Sequence, residues 1–259
     1  MKLNRQIIRS SLPLPILQAL RRVKMKYGSP QYNRLTTQQV FTKVYEEKAW
    51  GKSDDPSQSF YSGNGSHDMI IVNTYVNAMR AFLSTFDNKP SVVDLGCGDL
   101  FVGSLIRSLC AQYIAGDIVQ PLISFNRSKY ESLDVDFRVL DLTKDELPSA
   151  DIVFIRQVLQ HLSNKQILNA LPQISSKFKY LVLTEHLPST DDFVPNLDKP
   201  AGANTRLDAS SGVILTRRPF DLRPVSESRL CEVFGYGGRI RTTLYEMPRR
   251  TNQPHPHSI

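Results

Sequence analysis

Cysteine is scarce in this chain and tryptophan scarcer still: three residues and one, respectively, among 259. Cys97, Cys110 and Cys231 are odd in number and show no CxxC spacing. That argues against a zinc site or a disulfide framework and for a reducing, cytoplasmic compartment. Long apolar runs are also missing. None reaches the roughly 18 residues that a membrane span requires, so the expectation is a soluble chain, at most peripheral at a membrane. The basic, then apolar, start has the outline of a signal peptide. Pro13 and Pro15 interrupt it, Arg21, Arg22, Lys24 and Lys26 follow, and no small-residue cleavage site is present, so secretion is not expected. Internal repeats are absent too.

Acid is short mainly at the two ends. Thirty-two Lys and Arg against 25 Asp and Glu give a net charge of +7, a balance compatible with nucleic acid, anionic lipid or phosphorylated partners. Met1–Lys26 holds seven Lys/Arg and no acid, and Arg239–Arg250 adds four Arg. The excess is therefore concentrated near the termini, and nucleic acid is not the expected partner.

What is present is a 41% hydrophobic composition, enough to bury one sizeable core. Residues 1–36 read as a basic N-terminal extension with a helix over Ile16–Val23. Its apolar Leu17, Leu20 and Val23 stand on one face, with Arg21 and Arg22 off it. Such a piece can lie on anionic membrane, or pack on the domain or on a partner subunit. Residues 37–90 read as a helical cap with a lid loop: a helix over Thr37–Trp50, a Gly-, Ser- and Asp-rich loop over Gly51–Ser66, and a helix over Asp68–Phe86.

From 91 to 247, strands and helices alternate. Strands are expected at Ser91–Leu95, Tyr113–Asp117, Asp136–Leu140, Ala150–Arg156 and Tyr180–Glu185, with helices at Leu100–Cys110, Pro121–Tyr130 and Asn164–Phe178. Repeated βα units of this kind imply an α/β fold with a doubly wound, mostly parallel sheet and helices on both faces. Leu187–Asp208 reads as irregular, Ser226–Val233 as a helix, Gly235–Gly238 as a turn and Arg239–Tyr245 as a strand. Residues 248–259 have little to bury and read as a flexible tail.

The sharpest local signal is Val92-Val93-Asp94-Leu95-Gly96-Cys97-Gly98-Asp99. Two glycines after an apolar strand permit a tight turn, let a ligand approach the backbone, and open a helix N-terminus towards it. The third glycine of the dinucleotide fingerprint is missing, since Asp99, Leu100 and Phe101 follow Gly98. Asp117 closes the second strand 19 positions after Gly98 and can accept both hydroxyls of a ribose. Asp141, followed by Leu142, closes the third. Three strands ending in Asp line carboxylates along one sheet edge, where open α/β sheets bind ligands. Any one of them could instead be a helix N-cap, but all three together are not explained as caps. Cys97 inside the loop reads as a small packing residue.

Over Ser91–Glu185 the sequence resembles the class I S-adenosylmethionine-dependent methyltransferases, on the strength of this glycine loop and the acids that follow it. The resemblance implies a Rossmann-like, seven-stranded sheet with S-adenosyl-L-methionine as cofactor. Asp94, Gly96, Cys97 and Gly98 would lie beside its methionine part, Asp117 and Ile118 beside the ribose and adenine, and Asp141 and Leu142 beside the adenine. Arg156 and Gln157 would begin the fourth-strand loop.

Two further regions resemble the sugar O-methyltransferases of glycan pathways. One is Trp50 with Tyr61-Ser62-Gly63-Asn64-Gly65-Ser66, which would close over the cofactor through Tyr61, Gly63 and Ser66. The other is Gly202 to Asp208 with Arg217–Leu222, which would line the acceptor pocket. A small-molecule or glycan acceptor is implied, with O-methylation of a sugar hydroxyl as the reaction. Another small molecule, RNA or protein as acceptor, and a catalytically silent cofactor-binding subunit, stay open beside it. The Asn/Asp-Pro-Pro-Tyr/Phe motif of amino-group nucleic-acid methyltransferases is absent after the fourth strand.

For the acceptor chemistry, His161 is the candidate base, because imidazole titrates near working pH. Gln160, Glu185, His186 and Arg206 are the candidate acceptor contacts. Asp191, Asp192 and Asp198 are oxygen ligands without a recognisable metal spacing, so no metal is expected.

Overall fold

The computed structural model describes residues 30–32 and 34–248. The expected helix over Ile16–Val23, its membrane or partner contact, and nearly all of the expected tail lie outside them. Among the described residues, no helix is long and apolar enough to cross a membrane.

One seven-stranded sheet organises the chain, in the order β3-β2-β1-β4-β5-β7-β6. The strands are β1 Val92–Leu95, β2 Tyr113–Asp117, β3 Asp136–Val139, β4 Ile152–Arg156, β5 Tyr180–Leu187, β6 Ser226–Gly235 and β7 Gly238–Glu246. The first five pair in parallel, and β7 runs antiparallel to both β5 and β6. Strand order reverses beside β1, where β2 lies on one side and β4 on the other. In a doubly wound sheet this switch point opens a crevice at the carboxyl edge.

Strand burial follows from position. All four residues of β1 are buried, which is why Val-Val-Asp-Leu carries no polar alternation. Helix α1 (Thr37–Glu46) begins at a capping box between Thr36 and Gln39, and helix α5 (Asn164–Lys177) at one between Ser163 and Gln166, the reciprocal pairing that satisfies free amides at a helix start. Helix α2 (Met69–Leu83) is capped by Asp68, helix α3 spans only Phe101–Ser104, and helix α4 spans Gln120–Lys129. On one face α5 packs Ile167, Ala170, Leu171 and Ile174 with Val93, Ile155, Leu181 and Leu183. On the other, α2 packs Val72, Tyr75, Val76, Met79 and Leu83 with Val92, Phe154 and Val182.

Two expectations fail. Ser226–Val233 is not helical: it lies in the edge strand β6, bulged between Arg229 and Cys231. The extra residue breaks the period-two alternation by which a strand is recognised. Leu100–Cys110 is not one helix either. After α3 the chain kinks into a 3-10 turn at Arg107–Leu109. Gly103 sits where a Cβ would press on the Tyr113 hydroxyl at 2.8 Å and on Leu100 at 2.9 Å, so packing dictates a residue of poor helix propensity there.

Candidate active site

A cavity of about 320 Å³ opens at the carboxyl edge, over the switch point, within the size range of small-molecule sites. Its floor is the glycine loop. Gly96 and Cys97 both donate backbone N–H to the Gly116 carbonyl, at 2.7 and 3.0 Å, which turns the loop back over β2. Gly98 (φ 57°) donates to Asp117 Oδ2 at 3.2 Å, and its carbonyl accepts from the buried Asn126 at 2.7 Å. A Cβ on Gly98 would run into the Ser62 hydroxyl, so the glycine is required by the cover above it as well as by its own backbone.

That cover comes from the N-terminal side. Asp99 and Ser62 bind each other reciprocally: Ser62 N–H donates to Asp99 Oδ2 at 3.0 Å, and Asp99 N–H donates to Ser62 Oγ at 2.8 Å. Tyr45 of α1 meets the Ser62 hydroxyl at 3.1 Å, and His67 Nε2 meets Asp99 Oδ2 at 2.7 Å. Arg156, at the end of β4, donates to the Gly65 carbonyl at 2.5 Å and to Ser66 Oγ at 3.0 Å. Trp50 donates Nε1–H to the Ala203 carbonyl at 3.1 Å and packs its ring 4.9 Å from His161.

Of the residues expected to hold the cofactor, Gly63, Ser66, Asp94, Gly96, Cys97, Gly98, Asp117, Ile118, Asp141, Leu142, Arg156 and Gln157 all line this cavity. Tyr61 does not: its hydroxyl donates to Asn64 at 2.7 Å and its ring stacks on His67, so it braces the cover from outside. Asp141 lines the cavity but also turns its own loop, accepting from the Thr143 amide and hydroxyl at 2.9 and 2.7 Å. Tyr45, Tyr75, Asp99 and Val158 line the cavity without having been singled out. Only Asp99, next to the glycine loop, carried a sequence signal.

Burial raises the Asp94 carboxyl to about 6, with the neighbouring Asp117 adding to the rise and the Tyr113 hydroxyl and Arg156 opposing it. Burial raises Asp117 to about 6 as well, against donation from the Val119 and Gly98 amides. Cys97 is pushed well above the ordinary thiol range by burial and by Asp117, Asp94 and Asp99, which removes it as a nucleophile.

The acceptor candidates separate in the structure. Gln160, His161 and His186 line the cavity, whereas Glu185 and Arg206 do not. Arg206 is fully buried. It donates to the carbonyls of Leu159, Gln160, Leu162 and Leu197 and to Asn164 Oδ1, at 2.8 to 3.2 Å. It is a strut under the loop after β4 and has no reach to a ligand. Lys199 caps the same loop through the His161 carbonyl at 3.1 Å. Glu185 lies buried with neither carboxyl oxygen in a well-aligned hydrogen bond, and burial raises it to about 8 against the charge of Arg206 and the nearby Leu159 and Gln160 amides.

The imidazoles differ in what they leave free. Gln160 accepts from the His186 amide through Oε1 at 3.1 Å, so its amide nitrogen faces His161 Nε2 at 3.3 Å. His161 Nδ1 then carries the proton and donates to the Gly202 carbonyl at 3.2 Å, leaving both ring nitrogens occupied. Burial, with Lys199 adding to it, lowers His161 to about 3. His186 donates Nε2–H to the Gly235 carbonyl at 3.2 Å. Its Nδ1 is the unprotonated nitrogen and has no partner among the described residues.

Asp191 pairs with Arg239, and Asp198 accepts from the Asn164 and Lys199 amides. Neither lines the cavity, nor do Gly202 and Arg217–Leu222, whereas Ala203 and Thr205 do. Among the described residues, no group of three or more His, Cys, Asp or Glu is placed to hold a metal ion.

A parallel sheet with one antiparallel strand, β7, between β5 and β6, and a glycine-loop cavity at its switch point, defines the class I methyltransferase architecture. Residues 92–179, about a third of the chain, match the family model described as a methyltransferase domain. The fold is similar to that of the N-methyltransferase NodS of Bradyrhizobium japonicum in complex with S-adenosyl-L-homocysteine, at TM-score 0.54 and 15% identity over 80% of this chain and 99% of that one. It is also similar to magnesium protoporphyrin IX methyltransferase of Synechocystis with bound SAM, at 0.52 and 14% over 83% and 99%. A third similar structure is human N-acetylserotonin methyltransferase in complex with SAM, at 0.51 and 17% over 89% and 66%. No curated protein matches the sequence. Residues 92–179 thus carry a methyltransferase domain, on a fold shared with structures that hold SAM or S-adenosyl-L-homocysteine, and together they support a methyltransferase enzyme that uses S-adenosylmethionine.

Proposed function

We propose that the enzyme transfers the methyl group of S-adenosylmethionine to an uncharged acceptor group, a sugar hydroxyl of a glycan, glycolipid or nucleotide sugar. The residues fit the donor. Asp94, Asp99 and Asp117 stand around the glycine loop, and only one basic side chain, Arg156, lines the cavity beside them. Such a surplus of buried acid favours a ligand carrying positive charge. Asp117 would hold the ribose hydroxyls, Ile118 and Leu142 would flank the adenine, and Gly96–Gly98 would lie along the methionine part. Bound there, S-adenosylmethionine supplies an electrophilic methyl on a positive sulfur.

One observation carries the acceptor reading. Around His161 the cavity lining includes Trp50, Gln160, His186, Ala203 and Thr205, none of them Asp, Glu, Lys or Arg, and His161 itself is held neutral. An aromatic wall beside neutral hydrogen-bonding groups suits a polyhydroxylated, uncharged group. His186 supports the chemistry. The proton of a hydroxyl becomes strongly acidic only as the new carbon–oxygen bond forms, and the unprotonated His186 Nδ1 would take it. Gln160 and His161 orient the acceptor.

Mass spectrometry of nucleotide sugars, glycolipids, small amines and RNA incubated with the enzyme and S-adenosylmethionine tests this reading. A gain of one methyl on a sugar hydroxyl is expected, and a gain confined to an amine or to RNA overturns it.

A further inference from the structure

We propose that Glu185, together with Arg206, is a positioning residue for the acceptor: its buried carboxyl leaves the guanidinium to the carbonyls of the Leu159–His161 turn, and so holds Gln160 and His161 in the cavity. The inference rests on the acceptor reading above and deepens it.

The placement starts from strand parity. Along β5, Leu181 and Leu183 join the core on the α5 side and Val182 the core on the α2 side, so Glu185 and His186 leave the strand on opposite faces. His186 reaches the cavity. Glu185, only 3% exposed, is carried instead to the amides of Leu159 and Gln160, where neither carboxyl oxygen makes a well-aligned hydrogen bond. The same turn is tied to β5 a second time, because Gln160 accepts from the His186 amide at 3.1 Å.

Arg206 is the cation that acts on this carboxyl, yet among the described residues the two form no ion pair. Its N–H groups go to the carbonyls of Leu159, Gln160, Leu162 and Leu197 and to Asn164. A carboxylate at Glu185 would compete for them, since a charge-assisted pair with guanidinium is stronger than a bond to a neutral carbonyl. A protonated carboxyl does not compete. Burial disfavours the charged form and raises Glu185 to about 8, so at neutral pH the acid keeps its proton and the turn keeps Arg206. One proton therefore decides whether the guanidinium supports the turn or pairs with Glu185.

The other groups around Glu185 do not replace Arg206 in this role. The buried face of α5 is apolar. On β7, the cross-strand neighbour Arg241 is bonded to Glu232, and burial raises Tyr245 above its ordinary range. Behind the turn, Lys199 donates to the His161 carbonyl and is lowered to about 7, while Asp198 accepts from the Asn164 and Lys199 amides. His161 is neutral throughout.

The single tryptophan of the chain allows a test without any ligand. Trp50 packs its ring 4.9 Å from that of His161 and donates to the Ala203 carbonyl, so its fluorescence reports on the turn. In the full-length wild-type protein, Trp50 emission should shift between pH 7 and 9.5 with a midpoint near 8. That step should be absent from Glu185→Gln, which has the same shape and cannot ionise; a step centred near 7 belongs to Lys199. Glu185→Met serves the same purpose if the glutamine variant does not fold. A level wild-type emission, or a step near 8 that persists in either folded variant, overturns the inference. With the acceptor found by mass spectrometry, wild-type acceptor KM should rise roughly 10-fold from pH 7 to 9 as the protonated form is depleted, and should stay level in Glu185→Gln. An equal rise in both proteins overturns the positioning role. If no sugar is methylated while the Trp50 step behaves as expected, the acceptor reading fails and the coupling of Glu185 to the turn stands.

Discussion

His161 and His186 show how far a residue's chemistry depends on what surrounds it. The sequence offered His161 as base because it follows the fourth strand, but both of its nitrogens are engaged and burial lowers it to about 3. It stays neutral at every pH at which the protein would be assayed. His186 is also lowered by burial, opposed by its bond to the Gly235 carbonyl, yet it retains an open lone pair. His186→Ala should therefore reduce kcat at saturating donor by roughly 100-fold or more, with little change in donor affinity. His161→Ala should act mainly on the acceptor KM. Steady-state kinetics on both variants decides between them, and the reverse pattern would return the base role to His161. The acids give a second, separable pH effect. Asp94 and Asp117 are raised to about 6, and a cationic donor binds best when both are ionised. Donor affinity should thus fall as pH drops through about 6. Titration of Kd by calorimetry between pH 5 and 8 checks this, and a flat profile would mean that the acids do not face the donor's charge.

At the scale of elements, legibility followed locality. The glycine loop, the acid ending β2 and the parallel alternation could be read because each is encoded within a few residues: Asp94 to Asp99 bind through their own backbone, and Asp117 stands next to them across one strand pair. Strand β6 could not be read, because its polar outer residues reflect an edge position and its bulge hides the alternation. Arg206 was misassigned for a related reason. An arginine in a polar segment looks available to a ligand, and nothing local reveals that it will be drawn beneath a loop some 40 residues earlier in the chain. Its five polar contacts make the segment after β5 the support for Gln160 and His161. Arg206→Met should leave several buried carbonyls unpaired and cost more than about 4 kcal/mol in a denaturant titration. A loss below about 1 kcal/mol would show that the strut is dispensable. The cover is coupled to the loop more lightly. Ser62→Ala removes the acceptor for the Asp99 amide and the bond to Tyr45, and should weaken donor binding by roughly 3- to 10-fold with the fold intact.

Over the whole molecule, the cavity draws on segments from Thr37 to Thr205, so binding there should register as global stability, and the pH dependence of that stability should differ between free and bound protein. In the free protein, Asp94, Asp117 and Glu185 are all raised above their unfolded values. A raised carboxyl contributes stability that is fully present below its unfolded pKa and is lost as pH rises through the folded one. The two aspartates lose theirs between about 4 and 6, and Glu185 loses its between about 4.5 and 8. The donor's positive charge offsets the first loss because it sits among the acids that cause it. It leaves the second in place, since Glu185 is buried outside the cavity. Saturating donor, at about 100 times Kd, should add roughly 2.7 kcal/mol, with a larger gain at pH 7.5 than at pH 5. Glu185→Gln cannot ionise and should flatten the remaining decline between pH 6 and 9 in bound and free protein alike. Thermal melts of wild type and Glu185→Gln, with and without S-adenosylmethionine, from pH 5 to 9 separate the two contributions. A Glu185→Gln profile that still falls as steeply as wild type would place the alkaline loss elsewhere, with the depressed Lys199 unable to account for it. Lys199 is lowered to about 7 chiefly by burial, and a lowered ammonium contributes in the opposite sense, its penalty fading as pH rises.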